Sequence, residues 1–289
     1  MVQRQLWWRN MWVDLAHTLG IAPFMFRPLV LLLALGIVSG LVGVIVNLRR
    51  LEFNAEAMVH SVFPGIVAGA VFGGIDMIIP AAAALAAVVA VVLAVVSRAR
   101  FSEPGVAVVL TSFFSLGVVL SLKKGDQSGQ LEALMFGRLL EVTDSRLNAA
   151  LVVCAVALVL IILTWRSQVF VAFDRSGAKA SGVNLWLIDI VINVAIAAVV
   201  VSSASAVGVL LVVGYLVVPG AAARLVAPRV GYMVPVAIAV GCLSGIIGMA
   251  VVPLGPVSPQ ATVALSAVGL YFLLLGARAL GVQVGRRHV

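Results

Sequence analysis

The fold is decided by apolar stretches such as Pro28-Leu-Val-Leu-Leu-Leu-Ala-Leu-Gly-Ile-Val-Ser-Gly-Leu-Val-Gly-Val-Ile-Val-Asn-Leu48, which contains no charged residue. A helix needs about 20 apolar residues to cross a bilayer, and this stretch has that length. Similar stretches recur along the chain and predict about nine transmembrane helices. We place them at 28–48, 57–75, 77–97, 104–122, 147–165, 185–203, 205–223, 230–252 and 260–280. The predicted fold class is an all-α, polytopic membrane protein.

The composition excludes other classes of protein. Of the 289 residues, 63% are hydrophobic and 10% are charged, with a mean hydropathy of +1.20. Soluble domains are about half apolar and a quarter charged, so neither a soluble nor a disordered chain fits. The net charge of +8 does not indicate nucleic-acid binding, because the basic residues are scattered between apolar runs. Membrane lipid is the expected surrounding.

The chain divides into an N-terminal segment, 1–26, and one transmembrane domain, 27–282. The N-terminal segment carries three tryptophans beside two arginines, which is typical of a segment at headgroup level. Polar residues interrupt its apolar run, so we do not expect a cleaved signal peptide. If the connection after the first span is cytoplasmic, 12 of the 19 Lys and Arg residues lie inside. The positive-inside rule then predicts an outer N-terminus and an inner C-terminus.

One stretch of the second span combines residues that bind metals. Glu56 and His60 are four residues apart and share one face of a helix. A carboxylate and an imidazole together suit a divalent transition metal, and ionisable residues inside a span indicate function by default. The alternative is a buried hydrogen bond between two helices, which is commoner for an arbitrary pair. Two ligands also make an incomplete metal site.

The residues that follow predict an irregular and closely packed helix. Pro64 has no N–H to offer the carbonyl of His60, so we expect a kink there. Transport proteins often expose liganding groups at such breaks. Gly65, Gly69 and Gly73 form a ridge of small residues that lets another helix approach closely.

Two further segments are candidates for function. Asp189 and Asn193 are four residues apart near the start of a span, where they either line a pathway or form a cap or interhelical hydrogen bond. Pro219-Gly220 interrupts the next span, and Pro228 disfavours helix at the residue before it. Residues 221–226 therefore predict a short surface helix between two breaks.

The sequence contains no signature of an enzyme. It lacks the phosphate-binding loop GxxxxGK[ST] and the zinc-protease motif HExxH, and its three histidines are far apart at positions 17, 60 and 288. We predict a non-enzymatic protein without a permanently bound cofactor.

In their order, several segments resemble the permease subunits of bacterial ATP-binding-cassette (ABC) importers for manganese, zinc or iron. The matching segments are Asn47–Leu51 with its paired arginines, Ala55–Gly65, Pro104–Val119, Phe173–Asp174 with Gly182–Val183, Ala206–Val213 and Pro219–Leu225. Single segments are weak signals, but the ordered set extends from about 27 to 280.

The resemblance implies a fold and a set of roles. The fold would be the bundle of vitamin B12-type permeases (type II ABC importers), located in the bacterial cell membrane. His60 matches a histidine of the metal pathway, and Glu56 stands where most members have Asp. Pro219, Gly220, Ala221 and Arg224 fall in the segment that couples to the ATPase. Two permease chains would form a homodimer with two cytoplasmic ATPase subunits, and an extracellular metal-binding protein would deliver Mn²⁺ or Zn²⁺, with manganese favoured and iron not excluded.

Two other transport functions stay open on the sequence. A permease for a metal chelate, a siderophore or cobalamin would not need Glu56 or His60. A secondary transporter would need its own coupling carboxylates inside the membrane, for which only Glu56 and Asp189 qualify.

Overall fold

The structure is a computed structural model of the chain. It describes residues 23–74, 77–98, 102–122, 137, 139–204, 208–255 and 257–286. The predicted interfacial segment 1–26 lies outside the described residues except for its last four, which already belong to the first helix.

The described residues form ten α-helices and no strand. The helices are α1 (Pro23–Arg49), α2 (Glu52–Ala68), α3 (Ile78–Val96), α4 (Ser102–Leu122), α5 (Asp144–Phe173), α6 (Arg175–Ala180), α7 (Leu185–Ala204), α8 (Val209–Val226), α9 (Val230–Val251) and α10 (Pro259–Arg286). A π-helical turn, Gly69–Gly73, continues α2, and 3₁₀ turns occur at Leu139–Glu141 and Val252–Leu254. The predicted all-α fold class is confirmed.

Eight of these helices are long and apolar enough to cross a membrane. They correspond to eight of the nine predicted spans. The remaining prediction, 205–223, corresponds to α8, whose apolar part is the shorter segment Leu211–Val226.

The α8 helix corrects one expectation about the segment around Pro219. It continues through Pro219 to Val226, so the prediction of a separate short helix at 221–226 is wrong. Proline is tolerated inside a membrane helix where neighbouring helices satisfy the freed backbone groups. The carbonyl that Pro219 leaves without its helical donor is that of Tyr215, and close by Asn47 of α1 donates a hydrogen bond to the carbonyl of Val217 at 3.2 Å. The helix does end before Pro228, because Ala227 is extended with φ −89° and ψ 120°.

Helix α1 lies at the centre of the bundle. Over an apolar window of 18 residues, α1 is 72% buried, whereas α4 is 17% and α10 is 11% buried. Two glycines bring α1 against α9, since a Cβ on Gly36 would stand 2.8 Å from the nitrogen of Cys242. A Cβ on Gly40 would stand equally close, 2.8 Å, to the nitrogen of Ile238. In lipid, such close backbone contact is a main source of helix association.

The glycine ridge of α2 lies against α3. A Cβ on Gly65 would stand 3.0 Å from the carbonyl oxygen of Ala81, and one on Gly69 would stand 2.6 Å from that of Met77. The α-helix continues through Pro64 and changes to the π-helical turn only at Gly69. The change to π-helical geometry therefore lies after the proline, where the glycines meet α3, and the kink at Pro64 stays a prediction.

Polar contacts join helix ends at opposite sides of the bundle. At one side, Arg27 near the start of α1 pairs with Asp144 at the start of α5 at 2.8 Å. At the other side, Arg49 at the end of α1 bonds Gln168 near the end of α5. This arrangement agrees with the alternating path of the spans. Which side is cytoplasmic stays a prediction of the charge distribution.

Candidate functional site

Helix α2 is buried over most of its surface but presents ionisable side chains on the remaining side, which are the half-buried Glu52 in its first turn and the predicted pair. Glu56 is exposed and His60 is half-buried. The three residues between them that pack inward, Ala57, Met58 and Val59, are fully buried. The predicted pair therefore shares the side of α2 that the chain itself does not cover.

Helix α4 fixes the surroundings of His60. The rings of His60 and Phe114 meet edge-to-face, with centroids 5.4 Å apart at 86°. Phe114 also contacts Phe63, with centroids 5.5 Å apart. One turn later, a Cβ on Gly117 would stand 3.1 Å from the nitrogen of Pro64. The two helices thus run in the same direction with a shared register, and Phe114 restricts the orientation of the imidazole.

Helix α4, which packs against α2, exposes three hydroxyl residues. Thr111, Ser112 and Ser115 are exposed, and Thr111 bonds back to the carbonyl of Ala107 at 2.9 Å. The register that pairs Phe114 with His60 brings Thr111, one turn earlier, to the level of Glu56. We call the set Glu56, His60, Thr111, Ser112 and Ser115 the α2–α4 face.

The α2–α4 face supplies only part of a metal site within one chain. Within the described ranges, no group of three or more His, Cys, Asp or Glu side chains is arranged to hold a metal ion. Glu56 and His60 are thus two donors where a metal takes four or more. Ligation by this face needs further donors from water or from another chain.

Asp189 has very different surroundings, since three arginines bind its carboxylate. Arg175 makes a two-pronged contact, at 3.2 Å to Oδ1 and 2.6 Å to Oδ2. Arg49 also donates to Oδ1, and the side chains of Arg49 and Asp189 are only 5% and 6% exposed. Arg98 approaches Oδ2 at 3.4 Å from the end of α3. Bidentate arginine–carboxylate contacts of this kind are strong and geometrically specific.

Neighbouring amides complete this network. Gln168 accepts a hydrogen bond from Arg49 at 2.8 Å and donates to the carbonyl of Ile188 at 3.1 Å. Asn193 donates to the backbone carbonyl of Asp189 at 2.8 Å. We call Asp189, Arg49, Arg98, Arg175 and Gln168 the Asp189 cluster. These contacts favour interhelical bonding over a transport pathway for Asp189, whereas the bond of Asn193 stays within α7.

The end of α8 is joined to the end of α1. A Cβ on Gly220 would stand 2.5 Å from the carbonyl carbon of Gly43, so the two backbones touch. Pro219 and Gly220 are buried, Ala221 is half-buried and Arg224 is exposed. Of the four residues predicted to couple to an ATPase, Arg224 is therefore the most accessible.

A comparison with known families decides the identity of the bundle. The model of the ABC 3 transport family matches residues 21–277. The chain belongs to this family. Together with its eight apolar helices, this membership makes it a multi-pass transport protein of the cell membrane.

This ABC 3 chain is similar to curated membrane proteins of transport systems. The manganese transport system membrane protein MntC of Listeria monocytogenes is 27% identical over 227 residues, which cover 78% of this chain and 80% of that protein. A protein of Thermotoga maritima named as a probable metal transport system membrane protein is 31% identical over 224 residues, or 77% and 78% of the two chains.

A solved structure has the same fold as this ABC 3 chain. It is PsaBC from Streptococcus pneumoniae in complex with Fab, with a TM-score of 0.78 and 23% sequence identity. The match covers 92% of this chain and 94% of the other. The expected bundle of the ABC-importer permease type is confirmed.

Sequence reasoning missed the partners of Asp189 in this ABC 3 protein. The paired arginines at 49 and 50 are visible in the sequence as a motif, but their target is not. A usable signal was present, because a carboxylate within a span needs a cation or several donors. Arg49, at the end of a span, was an available partner.

Proposed function

We propose that this chain is the permease subunit of an ABC importer that moves a divalent transition metal into the cytoplasm. Manganese is the favoured cargo, with zinc and iron as alternatives. The observation that carries the proposal is the α2–α4 face, which offers a carboxylate and an imidazole on the uncovered side of a transmembrane helix. The names of the similar transport proteins, manganese for one and metal for another, point to the same cargo.

The chemistry of Glu56 and His60 suits a transported ion. Carboxylates suit Mn²⁺ and imidazole suits Zn²⁺ and iron. Two donors per chain bind an ion weakly, and weak binding allows release to the other side. The metal is therefore cargo at this face and not a resident cofactor.

A second copy of the chain is the partner that suits the α2–α4 face. An exposed carboxylate within a span is costly against lipid, whereas the exposed side of α5, with Val156, Val159 and Leu163, is apolar. Two copies related by a two-fold axis present the same patch to each other. Two Glu56 and two His60 side chains then provide four donors around one path.

Cysteine cross-linking tests this homodimer. In a background with Cys154→Ala and Cys242→Ala, we expect Ser115→Cys to form a disulfide-linked dimer in membranes under mild oxidation. Leu163→Cys is the control, because Leu163 is 78% exposed on the apolar side of α5. Efficient dimer formation by the control, with none at Ser115, would contradict the proposed interface.

Energy for import comes from ATPase subunits in this proposal, since the chain has no phosphate-binding loop of its own. Two cytoplasmic ATPase subunits would dock at the end of α8, where Arg224 and the following Pro228 and Arg229 are exposed. Pro219, Gly220 and Ala221 would support that end by packing. An extracellular metal-binding protein would deliver the ion.

Elemental analysis of metal-limited cells that lack this gene tests the cargo. Complementation with the wild type should restore one metal, whereas His60→Ala should not restore it at equal membrane abundance. Glu103→Gln, which changes an exposed carboxylate in the first turn of α4, is the control and should restore it. Restoration by both wild type and His60→Ala would refute the role of this site. No change in any metal with the wild type would refute the cargo class and direct the search to an organic chelate.

A further inference from the structure

The α1–α2 corner, residues 47–51, leads directly into the helix that carries Glu56 and His60. Arg50 adopts a left-handed conformation with φ 56°, which is uncommon for a residue other than glycine. The amide of Leu51 then bonds the carbonyl of Val46 at 2.9 Å, as in a Schellman helix end. Helix α2 begins at Glu52, so no flexible linker separates the corner from the α2–α4 face.

The end of α8 holds this corner by side-chain hydrogen bonds. The Nδ2 of Asn47 donates to the carbonyl of Val217 in α8 at 3.2 Å and to that of Gly43 in α1 at 3.1 Å. In return, Arg224 of α8 donates to the carbonyl of Asn47 at 3.0 Å. The carbonyls of the last helical turn have no partner within their own helix, so Arg224 also caps α1.

Close backbone packing makes these bonds part of a stiff joint. The contact of Gly43 with Gly220 leaves no room for a side chain between α1 and α8. A Cβ on Gly220 would also stand 2.8 Å from Nδ2 of Asn47, so the amide lies directly at the contact. A displacement of the end of α8 must therefore displace the end of α1.

We propose that Asn47 is a positioning residue that transmits movement of the α8 end to the α1–α2 corner, and thereby to Glu56 and His60. The inference rests on the proposed function, in which an ATPase acts at the α8 end and a metal passes the α2–α4 face. Asn47 is only 5% exposed, so its side chain is shielded from an ATPase subunit. Its effect on transport must pass through α1 and α8.

The test uses the whole importer, with permease, ATPase subunits and metal-binding protein, reconstituted in proteoliposomes. Metal uptake and ATP hydrolysis are measured together for the wild type and for Asn47→Leu, which keeps the branched shape of the side chain but removes the two N–H donors of Nδ2. Ser39→Ala is the matched control, because Ser39 is a fully buried polar residue of the same helix whose Oγ has no hydrogen-bond partner among the described residues.

We expect Asn47→Leu to lower the metal moved per ATP by about tenfold, a usual size for coupling between sites, with ATP hydrolysis near the wild-type rate. Ser39→Ala should leave the ratio unchanged. An unchanged ratio in Asn47→Leu overturns the inference, and so does a parallel loss of uptake and hydrolysis, which indicates a purely structural residue. Failure of the proposed function is distinguishable, because the wild type itself would then transport no metal, or Glu56→Gln would transport it normally.

A second measurement does not depend on the folding of an Asn47 variant. Spin labels at Phe53→Cys and Val226→Cys, two exposed positions at the start of α2 and the end of α8, report the distance across the joint. Both native cysteines are replaced by alanine. We expect this distance to stay the same between nucleotide-free and vanadate-trapped complexes, while the distance between Val226 labels in the two copies changes. A change across the joint itself overturns the inference.

Discussion

The Asp189 cluster and the α2–α4 face both place ionisable side chains within membrane helices, but they satisfy them in opposite ways. The carboxylate of Asp189 receives three guanidinium groups and is almost fully buried. Glu56 is exposed on its helix and, within the described part of the chain, forms no ion pair. The two regions therefore differ in how far the chain itself satisfies its carboxylates, and we expect transport function at the one that it leaves unpaired.

The comparison also separates a rigid part of the chain, the Asp189 cluster, from the α2–α4 face that we propose as the metal path. The Asp189 cluster connects the ends of α1, α3, α5 and α7 through charged hydrogen bonds. The α2–α4 face, by contrast, contains short hydroxyl side chains and the two proposed metal donors. We expect substitutions in the cluster to change folding and abundance, and substitutions on the face to change transport alone.

The largest effect is expected for Asp189→Asn. Arg49 is 5% exposed and would lose its buried counter-charge, which typically costs about 3–5 kcal/mol. We expect a lower thermal-unfolding midpoint in detergent and a lower abundance in membranes. Glu103→Gln, at an exposed position in the first turn of α4, is the control. A wild-type midpoint for Asp189→Asn would remove the distinction between the two regions.

A smaller loss of stability is expected for Gly220→Ala. The new Cβ would stand 2.5 Å from the carbonyl carbon of Gly43, and overpacking of this kind costs about 1–3 kcal/mol. Gly214→Ala is the matched control on the same helix, because nothing lies within 4 Å of its added Cβ. Equal unfolding midpoints for the two variants would show that α1 and α8 are not in tight contact.

The smallest effect is expected for Glu56→Asp. The change keeps the carboxylate and shortens it by one methylene group, so metal uptake should be largely retained at normal permease abundance. Glu56→Gln keeps the length but removes the charge, and its uptake should be lost. Equal uptake by the Asp and Gln variants would show that the charge of residue 56 plays no part.

Much of the fold could be predicted from the sequence, because membrane length and hydropathy are local properties. The apolar stretch 28–48 lies within α1, and helical spacing predicted that Glu56 and His60 share one face, while their metal role stays a prediction. The extent of α8 was not predictable in the same way. Pro219 is a helix breaker in general, but packing decides whether a helix ends there. The α1 residues that contact this part of α8 are far away in sequence, since Asn47 precedes its partner Val217 by 170 residues.

The Asp189 cluster shows the same limit for a site. The spacing of Asp189 and Asn193 indicated a polar helix face but left its partner open. The partners come from the ends of α1, α3 and α5 and from the start of α6, and only tertiary packing brings them together. Local patterns therefore identify candidate side chains. Whether tertiary packing supplies each of them with hydrogen-bond or ion-pair partners decides its role.

Metal uptake per folded permease molecule tests the central claim most directly. The importer is reconstituted with either wild-type permease or the double variant Glu56→Gln, His60→Ala, and uptake is normalised to folded dimer. We predict an unchanged unfolding midpoint and a loss of uptake of at least about tenfold, since even indirect changes at metal sites cost this much. Wild-type uptake per molecule in the double variant would contradict the claim that the α2–α4 face is the metal path.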